Sequence, residues 1–311
     1  MEKYSGWRDA GTGIQPFLHP QPPRIENAAY QFAKYNIVGP IIGSVKFCLI
    51  LLVVPILIHS WQRIFHFLLG RLILLLSGFY WIDSSSVQIK KLLKPNPVGN
   101  GRTLIIANHS SYLDILYFNF RFSPIFLQVS KEGKVRGVSG WQMLGECSQV
   151  LDFTDGMTLK EYLKEDRTNL PLVIFPEGTT SNGRGVLQFL PVFEEFNPQE
   201  FNLCVQVVGL KYEWSEFCPC YTTGHMLNHY WRVLNQFSNS LKVLYLDPSQ
   251  IGLSSDAKQV YNKSEGLIGS QLSMYLAQTL RTRKVGKSAH DKVTFLDYFN
   301  ERENPKYLKT K

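Results

Sequence analysis

Residues 37–58, IVGPIIGSVKFCLILLVVPILI, form an apolar run with a single charge, Lys46, and two internal prolines, Pro40 and Pro55. A helix crossing a bilayer needs about 20 such residues. A second run, FLLGRLILLLSGFYW at 67–81, is shorter and holds Arg71. A surface helix of a soluble protein keeps a polar face, and 49–58 has none. The pair therefore predicts a membrane-embedded helical hairpin over 37–82 rather than two buried helices of a soluble bundle. The pattern leaves open a shallow hairpin in one leaflet or full crossings. Lys46 near a bilayer centre would cost about 2.5–3.5 kcal/mol, so its stem is expected to reach toward the head groups. Trp61, Tyr80 and Trp81 suit the interface. Lys90, Lys91 and Lys94 follow the second run while the turn holds only Arg63, which places both ends in the cytosol. Apolar sequence starts only at Ile37, after Arg8, Arg24 and Lys34, unlike a secretory signal.

The net charge is +8, which favours anionic partners. Nucleic acid is a poor fit, because the basic residues flank a membrane segment and no recognition motif is present. The five cysteines, Cys48, Cys147, Cys204, Cys218 and Cys220, lack a disulfide framework and read as reduced. Cys218-Pro219-Cys220 has the wrong spacing for a zinc knuckle, so no metal is expected.

From about residue 84 short β-rich runs alternate with helical stretches. Strands are predicted at Thr103–Ala107, Ile125–Val129, 150–153, 172–175, 205–210 and 241–246, with helices at 111–121 and 159–165. The expected fold class is α/β, a mixed or parallel sheet covered by helices, preceded by the hairpin. The chain divides into a polar segment (1–36), the hairpin (37–82), the α/β domain (84–250) and a helical, basic extension (251–311). The tract RTRKVGKSAHDK in that extension suits either anionic lipid or a solvated tail.

Two motifs stand where strands empty into polar sequence, the usual place for sites in open α/β sheets. The first is NHSSYLD, with Asp114 five residues after His109. On one helix these would not share a face, so His109 must precede the helix and fold back over its first turn. Asp114 would then hold one imidazole nitrogen and leave the other to take a proton. Ser111-x-x-Asp114 equally fits a capping box, with His109 a turn residue. The second motif is FPEGTTSNGR, where Glu177 could meet a substrate hydroxyl and Gly178 allow close backbone approach. Thr179, Thr180, Ser181 and Asn182 could donate to an oxyanion or phosphate, with Arg184 supplying charge. Asn108-His109-Ser110 and Asn262-Lys263-Ser264 are glycosylation triplets that a cytosolic domain would leave unused.

Asn108-His109-x-x-x-x-Asp114 followed by Phe175-Pro176-Glu177-Gly178-Thr179 resembles the first and third motifs of the glycerolipid acyltransferase family, best known for lysophosphatidic acid acyltransferases. The opening MEKYSGWRDAGTGIQPF is similar to fungal members linked to vacuolar protein sorting. The resemblance implies a two-helix membrane segment before an α/β domain. It implies acyl transfer from acyl-CoA, a co-substrate and not a bound cofactor, to a lysophospholipid, chiefly lysophosphatidic acid. Membrane lipid is the surrounding partner, and the address is the endoplasmic reticulum or lipid droplet. His109 would be the general base and Asp114 its orienting partner, while 175–179 bind the acceptor. No nucleophile elbow of the G-x-S-x-G kind is present, as direct attack requires none.

One departure bears on the acceptor. The family's intervening strand ends in a phosphate-binding arginine, whereas SQVLDFTDG here carries Asp152 and Asp155. Lys131, Lys134, Arg136 or Arg184 could compensate. The family's fourth motif ends in a proline that VQVVGLKYE lacks. The alternative is a family-derived lipid-binding or sorting scaffold whose catalysis has decayed.

Overall fold

The computed structural model describes residues 2–21, 27–59, 63–89, 99, 101–146, 150–194, 196–197, 200–253 and 264–303. Trp61, Lys90, Lys91, Lys94, Cys147 and Asn262, all read from the sequence, lie outside these residues.

A short 3-10 helix at Glu2–Trp7 is followed by α1 (Ala28–Ala33), a wide turn at Lys34–Val38, α2 (Gly39–His59) and α3 (Arg63–Leu76). The wide turn lies just before Pro40, whose ring and missing N–H interrupt a regular ladder. The domain then runs β1 (Ile82–Val87), β2 (Thr103–Ala107), α4 (Tyr112–Phe122), β3 (Ile125–Val129), β4 (Val135–Val138), α5 (Gly140–Glu146), α6 (Leu159–Glu165) and β5 (Leu172–Ile174). After these come β6 (Gly185–Val186), β7 (Cys204–Glu213), α7 (Met226–Leu234), β8 (Ser240–Leu246), α8 (Gly266–Leu280), β9 (Arg283–Lys284) and α9 (Ala289–Glu303).

Seven strands form one mixed sheet in the order β1-β8-β7-β2-β5-β3-β4. β2 lies parallel between β5 and β7, and β3 runs parallel to β5. β4 turns back on β3, and β7 pairs antiparallel with β8. The pleat sorts β2 cleanly. Ile105 and Ala107 join a core with α3, α4 and α7, while Leu104 and Ile106 join one with α8. Both faces are covered, which is why 103–107 reads as a continuous apolar run. The strand expected at 150–153 reduces to one bridge, Ser130 with Leu151, because Asp152 and Asp155 turn out to Lys131 and Arg136.

α2 packs on α3 and α7, and α3 packs on α4. Its inward stripe is Gly39, Gly43, Lys46 and Ile50, at helical spacing, while Ile41, Val45, Phe47, Leu49, Leu51 and Leu52 point outward. The residues from Ala28 to Leu52 form a helix long and apolar enough to cross a bilayer by length and composition. Lys46 does not reach for head groups, contrary to the sequence expectation. It is buried, and its Nζ donates to the Gln236 carbonyl (2.7 Å) and the Phe237 carbonyl (3.3 Å), just past the end of α7. Arg71 does the same for Phe79 (2.7 Å) and Tyr80 (2.6 Å). Helix-end carbonyls need donors, and these two cations provide them.

The two placements of Lys46 predict opposite signs for Lys46→Met. A lipid-facing lysine would gain about 2.5–3.5 kcal/mol on replacement. A carbonyl-capping one leaves buried acceptors unpaired at about 1–3 kcal/mol. Thermal unfolding of the detergent-solubilised variant is expected to show a lowered midpoint.

Candidate active site

The two motifs meet because their strands are neighbours. Ile106 of β2 is in register with Ile174 of β5, so both chains leave the sheet at the same edge. His109 follows one strand end and Glu177 the other. The Ser181 amide donates to the His109 carbonyl (2.9 Å), and the Phe175 ring stacks on the imidazole at 4.3 Å between centroids, 16° from parallel.

His109 Nδ1 lies 3.1 Å from Asp114 Oδ2. The same oxygen accepts from the amides of Ser110 (2.7 Å) and Ser111 (2.8 Å). The capping box is therefore real, and it coexists with the imidazole contact. The other oxygen, Oδ1, accepts from the Tyr212 hydroxyl at 2.5 Å. Asp114 is fully buried, and with four donors its charge is well matched. His109 is also buried, and its Nε2 has no hydrogen-bond partner among the described residues. With Nδ1 committed to the carboxylate, Nε2 is the atom open to a reacting proton.

Tyr212 is not marked by either motif. It arrives because β7 continues past the end of β2, whose last pairing is Ala107 with Val208. Asn108 fixes that alignment, accepting from the Leu210 amide (2.7 Å) and donating to its carbonyl (2.9 Å). Nearly buried and so committed, Asn108 is not available for glycosylation. Alternation along VQVVGLKYE places Val208, Leu210 and Tyr212 on one face, and that is the signal that could have found the tyrosine.

The second motif holds its own loop together more than it faces a ligand. Gly178 has φ +65°, and a Cβ there would sit 2.2 Å from Leu190 Cδ1, so a side chain, not a substrate, makes the close approach. Thr179 is buried. The Thr180 hydroxyl accepts from Lys292 Nζ (2.8 Å), which also donates to the Thr180 carbonyl (2.6 Å). Asn182 Nδ2 donates to the carbonyls of Gln15 (2.7 Å) and Leu18 (2.9 Å). Ser181 Oγ accepts from the Gly183 amide. Of the expected donors, Asn182 thus donates within the protein, while the Thr180 and Ser181 hydroxyls accept there.

The 281–292 tract is folded onto the domain and is not a free solvated tail. β9 pairs with β6, Lys284 meets the buried Glu265 at 2.7 Å, and Lys292 is fully buried against the motif. Phe17 packs on Phe295 of α9, joining both ends of the described chain to this loop.

Glu177 is fully buried, and neither carboxylate oxygen has a hydrogen-bond partner within ordinary range among the described residues. Burial is the main reason its carboxyl is pushed well above the usual range. The Asp114 charge adds to this, while the Leu187 and His109 amides and Lys292 offset part of it. Arg184, by contrast, is exposed. The other nominated cations have acidic neighbours: Lys131 with Asp152 (3.0 Å), Lys134 with Glu132 (3.8 Å), and Arg136 with Asp155 (3.7 Å) and Glu146 (3.9 Å).

Comparison with known proteins identifies a family. The Acyltransferase family profile matches residues 84–193. A Schizosaccharomyces pombe protein provisionally named a lysophosphatidic acid:oleoyl-CoA acyltransferase is 31% identical over 96% of this chain and 98% of its own length. The lysophospholipid acyltransferase LPEAT1 of Arabidopsis thaliana is 29% identical over 58% of this chain and 52% of its own. The crystal structure of the 1-acyl-sn-glycerophosphate acyltransferase PlsC from Thermotoga maritima aligns with 79% of this chain and 95% of that one, at 13% identity and a TM-score of 0.37. The chain belongs to the glycerolipid acyltransferase family, and by that membership it is an O-acyltransferase.

The raised Glu177 carboxyl gives a signed prediction. The folded protein holds that proton more tightly than the unfolded chain, so stability falls as pH rises from the unfolded value toward the folded one. Glu177→Gln lacks this dependence. Its melting midpoint relative to the parent is expected to climb between pH 5 and 8, followed by differential scanning calorimetry.

Proposed function

We propose that this protein transfers an acyl chain from acyl-CoA to the free hydroxyl of a lysophospholipid, with lysophosphatidic acid as the leading acceptor. The observation that carries this reading is the buried His109–Asp114 pair with Nε2 unpartnered. Nε2 takes the acceptor hydroxyl proton as its oxygen attacks the thioester carbonyl. The tetrahedral adduct collapses to the ester, and the departing CoA sulfur recovers the proton from Nε2. Asp114 keeps Nδ1–H in place and stabilises the imidazolium formed between these steps. Burial of Nε2 favours an alcohol delivered in a lipid over bulk water as the acceptor.

The setting is a membrane surface, reached through the helices before the domain. α2 turns its glycines and Lys46 inward and its apolar side chains outward, the reverse of a soluble helix. Phe67, Leu68, Leu72 and Leu75 of α3 are exposed too, as are Trp81, Leu227 and Phe237. A contiguous apolar exterior of this kind calls for lipid. An address at the endoplasmic reticulum or lipid droplet, with the domain in the cytosol, accompanies this reading.

Purified protein supplied with labelled oleoyl-CoA and a panel of lysolipids tests it. His109→Ala is expected to lower turnover by roughly 10²–10⁴-fold with vesicle binding intact. Equal turnover in parent and variant would remove His109 as the base. No transfer to any lysolipid by the parent would favour the decayed scaffold.

A further inference from the structure

We propose that Arg184, Lys211 and Arg281 form a binding site for a phosphate monoester beside the active centre. It deepens the acyl-transfer reading and rests on it for the source of the ligand.

The three cations come from separate parts of the chain: the end of the second motif, β7, and the residue capping α8. All three line one cavity of about 250 Å³. No acidic side chain lines it, and none of the three has an ion pair among the described residues. That sets them apart from Lys131, Lys134 and Arg136. Two larger concavities of about 570 Å³ each include carboxylates, Glu213 and Glu216 in one and Asp166 in the other. An anion would meet carboxylates in those and only cations here.

The fold holds these cations where they are. Arg281 takes a left-handed backbone, φ +52°, uncommon for a side chain of its size. The next residue, Thr282, donates from its hydroxyl to the Arg184 carbonyl at 2.7 Å, which clips the motif loop to the end of α8. Lys211 lies in register with Lys242 across the β7–β8 pair, and Lys242 already meets Asp83 at 3.3 Å, which leaves Lys211 as the cation of the two with no carboxylate partner among the described residues.

The position ties the site to the chemistry. Ser110 and Tyr212 line the same cavity. Ser110 follows His109, and its amide and the Tyr212 hydroxyl both bond Asp114. A group anchored on the cations thus lies next to the residues that hold the imidazole. A phosphate monoester carries close to two charges at neutral pH, and a guanidinium pair with a lysine matches it better than a singly charged diester. Both substrates of the proposed reaction offer one: the lysophosphatidic acid head group and the 3′-phosphate of CoA. The site stands in for the arginine that the intervening strand lacks.

Calorimetry on full-length His109→Ala protein in detergent reads binding without turnover. The probes are sn-glycerol 3-phosphate and adenosine 3′,5′-bisphosphate. Adding Arg184→Gln with Arg281→Gln is expected to weaken at least one probe by about tenfold or more, with an unchanged melting midpoint. Loss for glycerol phosphate assigns the site to the acceptor, loss for the bisphosphate assigns it to CoA, and loss for both means it accepts either. Failure of both probes to bind, or affinities unchanged by the substitutions, overturns the proposal. In the His109 parent, the same pair should raise KM for the assigned substrate and leave kcat nearly unchanged. Charge-dependent binding in a protein that transfers no acyl group would keep the phosphate site and discard the acyl-transfer reading. Transfer without charge-dependent binding would do the reverse.

Discussion

The buried carboxylate of Asp114 is the constraint on which the rest of the site depends. A charge out of water is tolerated only when donors surround it. Here they come from an imidazole, two amides at a helix start and a tyrosine on a distant strand. Each donor fixes a different piece of structure: the imidazole orientation, the first turn of α4, and the length by which β7 overruns the sheet. Capping and orienting are served by one oxygen, so helix start and acid–base geometry are the same arrangement seen from two sides.

Much of this was legible because it is local. Thr103–Ala107, Ile125–Val129 and 159–165 are as read, since continuous apolar runs and a Thr158/Glu161 capping box mark their ends. His109 and Asp114 were legible because five positions separate them and a strand precedes both. Tyr212 and Lys292 were not, as they join the site through strand register and C-terminal packing, about which local pattern says nothing. β1, with the sequence IDSSSV, escaped because it is a mostly polar edge strand recognised only by its pairing with β8.

The polar residues of the second motif looked like ligand donors because composition reports capacity, not direction. Their hydroxyls and amide turn inward to Lys292, the Gly183 amide and the 15–18 carbonyls. The same inversion holds for Lys46 and Arg71. Read as charges stranded in apolar helices, they are donors to backbone carbonyls: Lys46 fastens α2 to the domain at 236–237, and Arg71 holds the 79–80 segment that follows its own helix.

The placement of Lys292 sets a timetable for synthesis. The apolar helices and the sheet leave the ribosome ahead of α9. The loop that cradles His109 lacks its buried ammonium until α9 has emerged. A nascent chain thus holds a complete seven-stranded sheet before its motif loop is secured, and a ribosome stalled ahead of α9 would leave that loop unfastened.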